Sequence, residues 1–370
     1  SATNLLIVGI WIKNFSEMTI SAIKGELRVI ETARLRVAQK TTWVVFGSAM
    51  LVFGWGVVGV MIGLVASYFV LFVYGARKTS IFVGSPSKRH ISSLLNFGKY
   101  NIISSVGGSF YDWMDVIIIG IFLTSAHVGA YEVAWRISSL VLLVANSLAE
   151  TLFPEVSRLD ANKAFSEVEE LVTRGITSTL VVSVPAFFGA LIYGSDILEI
   201  VFGKSFGIAG LALSILMLEK VFQSVHRVLG PTLLGLNRPG KAATAAVVST
   251  VCNVGLNLIF VPAFGISGAA VATAVSFLIN TSIHAAYLRD QITIAVEAKS
   301  IAWIIVSSTS MFVLLYVTDY LVQPTSYLSL LVLILFGVVA YLSFMLINPR
   351  IRILTLKLID SVADEIRSVE

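Results

Sequence analysis

Charge is what this sequence has little of. Asp, Glu, Lys and Arg together make up 13% of its 370 residues, where soluble domains carry about 25%. That deficit excludes a soluble enzyme, a disordered chain and a nucleic-acid binder, despite a formal net charge of +4 and a pI near 9.1. Cysteine is almost missing too. Cys252 stands alone, so no internal disulfide can form, and no Cys or His lies at metal-ligand spacing from it. His90, His127, His226 and His284 are scattered, without an HExxH pattern. The GKS at Gly203–Ser205 lacks the earlier glycine of a P-loop, so no ATPase is read here and no catalytic constellation is present. What remains is 56% apolar with a mean hydropathy of +0.89. That is the composition of an all-α polytopic membrane protein.

A helix crossing the hydrocarbon layer needs about 20 apolar residues. Residues 41–75 contain no Asp, Glu, Lys or Arg, and at 1.5 Å per residue one helix of that length is far too long for a single crossing. GWGVVG (Gly54–Gly59) supplies a turn within it, and VPAFGISG (Val261–Gly268) divides the uncharged run 242–288 in the same way. Further spans are expected near 3–23, 99–123, 128–153, 172–194, 208–235, 300–320 and 327–347. Continuous backbone pairing within each segment favours helices, and the runs are too long and uniformly apolar for a β-barrel. Eleven spans result. Pro185 is expected to kink its helix, and the Gly59/Gly63 pair reads as a close-packing feature.

Of the 26 Lys and Arg residues, all but five fall on connections along one side of these spans or at the span ends that adjoin them. The exceptions are Lys204 on the other side and Lys13, Arg136, Lys220 and Arg227 inside spans. The basic side, with the C-terminal tail, is therefore expected to be cytoplasmic. Two basic segments, 24–40 and 88–99, have the makings of interfacial amphipathic helices.

The chain opens on SATNLLIVGI, without Met or a charged n-region, and reads as a sequence cut within or beside a span. A repeat suggests how much precedes it. Gly25 and Arg28 (GELR) match Gly235 and Arg238 (GLNR) at an offset of 210; Gly56, Gly59 and Ser67 match Gly265, Gly268 and Ser276 at 209. Two parallel repeats are a known transporter architecture with substrate bound at their interface. The expectation is a two-lobed helical transporter with 11 of 14 spans present. Residues 1–76 are the end of the first lobe and 77–98 a cytoplasmic interfacial linker. Residues 99–290 form a second six-helix lobe, 300–347 two appended transmembrane helices and 348–370 a cytoplasmic tail.

Four stretches carry a family resemblance: DVIIIGIFLTSAHVGAYEVAWRI (115–137), TLFPEVSRL (151–159), LLGLNRPGKAA (233–243) and NVGLNLIFVPAFGISGAAVATAVS (253–276). In order and spacing they resemble the Wzx-type polysaccharide flippases of the multidrug/oligosaccharidyl-lipid/polysaccharide exporter superfamily. The resemblance implies a flippase that moves a polyprenol-linked oligosaccharide across the cytoplasmic membrane by alternating access. It also implies fourteen or so helices in two lobes. The short first lobe departs from that pattern.

Charges inside a bilayer cost about 2.5–3.5 kcal/mol each on insertion scales and usually face a cavity or a partner. Arg136, Arg227, Lys220 and Lys13 are accordingly the candidates for holding the phosphate of a lipid-linked glycan. Lys220 and Arg227, seven apart, share a helix face, with Glu219, Gln223 and His226 beside it. The competing reading is local pairing, Glu132 with Arg136 and Lys13 with Glu17, both at i,i+4. Asp112 and Asp115 lie on one helix side, and Asn253 and Asn257 on another. In the peptidoglycan-precursor branch of the superfamily a sodium site joins an Asp to later amide and carboxylate residues. By resemblance Asp115, Asn253 and Asn257 occupy those positions, with Thr273 a further ligand, for coupling to Na+ or H+. The second position is Asn rather than Asp, which favours helix-to-helix hydrogen bonding instead.

No other cofactor is expected. The partners are the bilayer, the lipid-linked glycan and glycan polymerases or transferases. An ion-coupled multidrug-type exporter is the alternative, which the appended helices and buried cations disfavour. A glycan polymerase or ligase needs a sizeable outer loop, whereas the longest outer connection, around 194–207, spans about 14 residues.

Overall fold

The computed structural model describes residues 2–25, 28–79, 113–294 and 297–347. Every element among them is helical. The chain divides into two compact units, 1–99 and 100–370.

The first unit holds α1 (Ala2–Gly25), α2 (Val29–Val52) and α3 (Gly56–Lys78). The break between α2 and α3 falls where the glycines predicted it. Gly54 and Gly56 have φ of 81° and 53°, left-handed conformations that cost glycine nothing. Ile20, Ile23, Leu35 and Leu71 form the core of this unit. Gly63 lets α3 approach α2 closely: a Cβ there would lie 2.6 Å from the backbone nitrogen of Gly47. Of the two basic segments, 88–99 lies outside the described residues, and 24–40 runs straight into a long helix. From Val29 onward it forms the first turns of α2, which continues unbroken to Val52.

The second unit begins with α4 (Trp113–Phe122) and α5 (Ser125–Ser139), which a 3₁₀ turn joins to α6 (Leu143–Ala161). Then come α7 (Phe165–Phe202), a 3₁₀ turn at Lys204–Ala209, α8 (Gly210–Gly235), α9 (Pro239–Arg289), α10 (Ala298–Leu321) and α11 (Tyr327–Leu346). α7 runs unbroken through Pro185. Its extension to Phe202 also shortens the expected outer connection, because 194–202 is helical. α9 is two helices meeting at Gly265, whose φ of 61° and ψ of −142° are non-helical. This is the division expected from VPAFGISG.

α8 is the hub of the second unit and packs on α5, α6, α7 and α9. Residues 212–214, 216, 217, 219 and 220 are buried on every side of it, and beyond Lys220 burial continues at 224, 228–230, 232, 233 and 235, leaving Arg227 and Leu234, seven apart, on an exposed stripe. Polar ties cross the apolar interfaces. Ser214 Oγ donates to the Ala190 carbonyl at 2.9 Å, the Ser183 and Ser224 hydroxyls lie 3.1 Å apart, and Tyr341 OH donates to the Val181 carbonyl at 2.8 Å.

By length and composition, seven segments among the described residues suit membrane crossing: 56–78, 125–161, 165–202, 204–235, 239–289, 298–321 and 327–346. α1 and α2, which carry Lys13 and Glu17 and a basic first half respectively, fall outside that set.

Candidate functional site

Asp115 sits on α4 and is buried. Three donors from three other helical segments converge on its carboxylate. Thr273 Oγ1, from the second half of α9, donates to Oδ2 at 2.6 Å, and Tyr131 OH, from α5, donates to the same oxygen at 2.8 Å. Asn257 Nδ2, from the first half of α9, donates to Oδ1 at 2.8 Å. Asn257 Nδ2 also lies 3.1 Å from Asn253 Oδ1, and Asn253 Nδ2 reaches Thr273 Oγ1 at 3.3 Å. Asp115, Asn253, Asn257 and Thr273 are therefore brought together in one buried cluster. The bend at Gly265 folds α9 back so that 253, 257 and 273 meet. Asn257 Oδ1 is buried without a hydrogen-bond partner. Asp112 lies outside the described residues.

Sequence reasoning missed Tyr131. Its signal was chemical rather than positional: a buried tyrosine hydroxyl needs an acceptor, and Tyr131 is 1% exposed.

The four cations expected inside spans meet different fates. Lys220 is 1% exposed; its Nζ lies 2.7 Å from Glu219 Oε2, 3.0 Å from Gln223 Oε1 and 5.3 Å from the centre of the Trp135 ring. Arg136 is exposed, and its guanidinium pairs with Glu132 at 3.1 Å, as the i,i+4 spacing anticipated. Arg227 is exposed and makes no ion pair among the described residues. Lys220 and Arg227 thus do not share one environment, because α8 is enclosed at the first and open at the second. Lys13, in the first unit, has an exposed side chain. The Lys13–Glu17 pair does not form. Glu17 instead accepts two hydrogen bonds from Arg36 of α2, at 2.8 and 2.5 Å, a planar fork that an ammonium cannot match.

On α8 and the second half of α9, the rings of His226 and His284 lie 4.6 Å apart, edge to face. No group of three or more His, Cys, Asp or Glu suited to a metal ion occurs among the described residues.

Residues 1–210 match the family described as polysaccharide biosynthesis protein. Over 347 residues, 94% of this chain and 74% of the relative, the sequence is 41% identical to the Haloferax volcanii protein named "Probable low-salt glycan biosynthesis flippase Agl15". It is 28% identical to "Probable flippase AglR" of the same organism, over 84% of this chain and 66% of that one. Among solved structures, the lipid II flippase MurJ in an inward closed conformation superposes with a TM-score of 0.78. That match has 18% identity and covers 95% of this chain and 75% of MurJ. An inward-facing multidrug MATE transporter gives 0.68 at 16% identity, over 78% of this chain and 70% of that one. The fold is that of these transporters, and the chain belongs to the polysaccharide biosynthesis protein family.

Proposed function

We propose that this protein is a flippase that carries a polyprenol-linked oligosaccharide from the cytoplasmic to the outer leaflet by alternating access. The observation that carries this reading is the 41% identity to a protein named a glycan biosynthesis flippase, along nearly the whole chain. The process needs no covalent chemistry. The lipid tail stays in the bilayer, and the protein lowers the barrier for the polar head.

Arg227 and Arg136, with exposed guanidinium groups on apolar helices of the second unit, and Lys13 in the first, are proposed to receive the anionic phosphate. Arg suits it best, offering paired donors to phosphate oxygens. Lys220 takes part only when its contacts to Glu219 and Gln223 open. Asp115 with Asn253, Asn257 and Thr273, and Asp112 beside them in sequence, were the candidates for ion coupling. The geometry fits sodium poorly. A cation needs converging acceptors, whereas a hydroxyl from Thr273, a hydroxyl from Tyr131 and an amide N–H from Asn257 all point at the carboxylate.

The finer architecture belongs to the same proposal: eleven spans of an intact fourteen, the boundaries 76, 98 and 290, and a cytoplasmic C-terminus. Two parallel repeats are supported by paired local features. Gly56 and Gly265 both take positive φ. Ser67 and Ser276 are both buried, each bonded at 2.7 Å to a carbonyl of its preceding turn.

The MATE-like fold keeps a multidrug exporter as the second reading. Purified protein in lipid vesicles separates the two. The flippase reading predicts accelerated translocation of a polyprenyl-phosphate-linked oligosaccharide and no accumulation of a cationic dye under an ion gradient. The reverse pattern rejects it.

A further inference from the structure

Among the described residues, the interior of the second unit holds more negative than positive charge. Asp115 and Glu219 are 9% and 0% exposed, and Lys220 is 1% exposed. The three act on one another electrostatically; Arg227 is the other charge acting on Glu219, from an exposed position on α8, and Tyr131 is the neighbouring titratable group. Two carboxylates against one ammonium leave one negative charge over. A buried carboxylate without compensation is so costly that it takes up a proton instead.

Hydrogen bonding shows which group takes it. Asp115 receives three donors, and the hydroxyl of Tyr131 has Asp115 as its acceptor, an arrangement made for the ionised form. Glu219 receives nothing comparable. Its Oε2 lies 2.7 Å from Lys220 Nζ as an ion pair, and both of its oxygens are buried with no hydrogen-bond partner. Residues 219 and 220 are neighbours on a helix and do not naturally face each other, so Lys220 curls back to reach Glu219 and remains within reach of Trp135 and Gln223.

We propose that the Asp115–Glu219–Lys220 group holds one exchangeable proton, carried on the Glu219 carboxyl. Binding converts carboxylate and proton to carboxylic acid, leaving Lys220 to balance Asp115; release restores the excess charge. The ligand class is the proton rather than a metal cation. Its use as the coupling proton rests on the flippase reading, while its existence does not.

Infrared difference spectroscopy of the full chain in lipid, at neutral pH, reads the proton directly. Wild type is expected to show a protonated-carboxyl carbonyl band that shifts when glutamate is carbon-13 labelled and disappears in the isosteric Glu219→Gln. Lys220→Met is expected to enlarge the protonated-carboxyl signal, since both carboxylates then need protons. A wild type lacking the band, or a band unmoved by labelled glutamate, overturns the proposal. In vesicles, an imposed pH gradient is expected to drive glycolipid translocation by wild type and not by Glu219→Gln. If the band behaves as expected but no glycolipid moves in wild type, the proton site stands and the flippase reading falls.

Discussion

Asn257 donates its side-chain amide to Asp115 at 2.8 Å, joining two residues 142 positions apart in sequence. With Tyr131 and Thr273 it makes a carboxylate deep in the helical core the point where α4, α5 and both halves of α9 are tied. Such a fully donated carboxylate rigidifies a core, and the account predicts what happens when one donor is removed.

Tyr131→Phe and Thr273→Val each delete one hydroxyl while nearly conserving shape. Hydrogen bonds to charged groups contribute about 1.5–3 kcal/mol, and the remaining donors take up part of that loss. Each variant is expected to melt below wild type in detergent, with the double variant falling more than the sum of the two, because neither hydroxyl is left to offset loss of the other. Additive losses would mean the two hydroxyls do not share Asp115.

Close packing in the first unit gives a second prediction. A methyl at residue 63 meets the Gly47 backbone, which cannot swing aside as a side chain can. Gly63→Ala is expected to cost about 1–3 kcal/mol through overpacking. Gly255→Ala, where nothing lies within 4 Å, is expected to be neutral or stabilising by up to about 1 kcal/mol, from helix propensity. Thermal melting of the two variants side by side decides it.

Glu132 holds Arg136 at 3.1 Å on an exposed face. Freed from that partner, the guanidinium is fully available to phosphate. Glu132→Gln is therefore expected to bind polyprenyl phosphate in detergent more tightly than wild type, and Arg136→Ala more weakly. Arg136 is 70% exposed and Glu132 21%, so the pair is only partly enclosed, and releasing it is expected to tighten Kd by about fivefold or less, the equivalent of about 1 kcal/mol. Unchanged Kd in both variants would remove Arg136 from the site.

The two helix divisions were legible because glycine at positive φ is a backbone requirement that shows directly in sequence. Asp115, Asn253, Asn257 and Thr273, singled out by the resemblance, lie together in one buried cluster. Pairing was less legible. Spacing alone joined Lys13 to Glu17, but Arg36 of a neighbouring helix won with a two-pronged contact. Face arithmetic likewise put Lys220 with Arg227. Angular position on a helix does not say how far along its length the surroundings close, and α8 is enclosed at residue 220 but open at 227. Tyr131 escaped notice because a tyrosine among apolar residues looks like core until its hydroxyl partner is known.

The most direct test concerns Arg227. It is the exposed intramembrane guanidinium without an ion pair among the described residues, and on this account an anionic headgroup is what it meets. In vesicles holding equal amounts of folded protein, Arg227→Ala is expected to slow translocation of a polyprenyl-phosphate-linked oligosaccharide by about tenfold or more, the equivalent of one charge-assisted hydrogen bond. Arg227→Lys should recover part of the rate. Equal rates for wild type and Arg227→Ala would contradict the account.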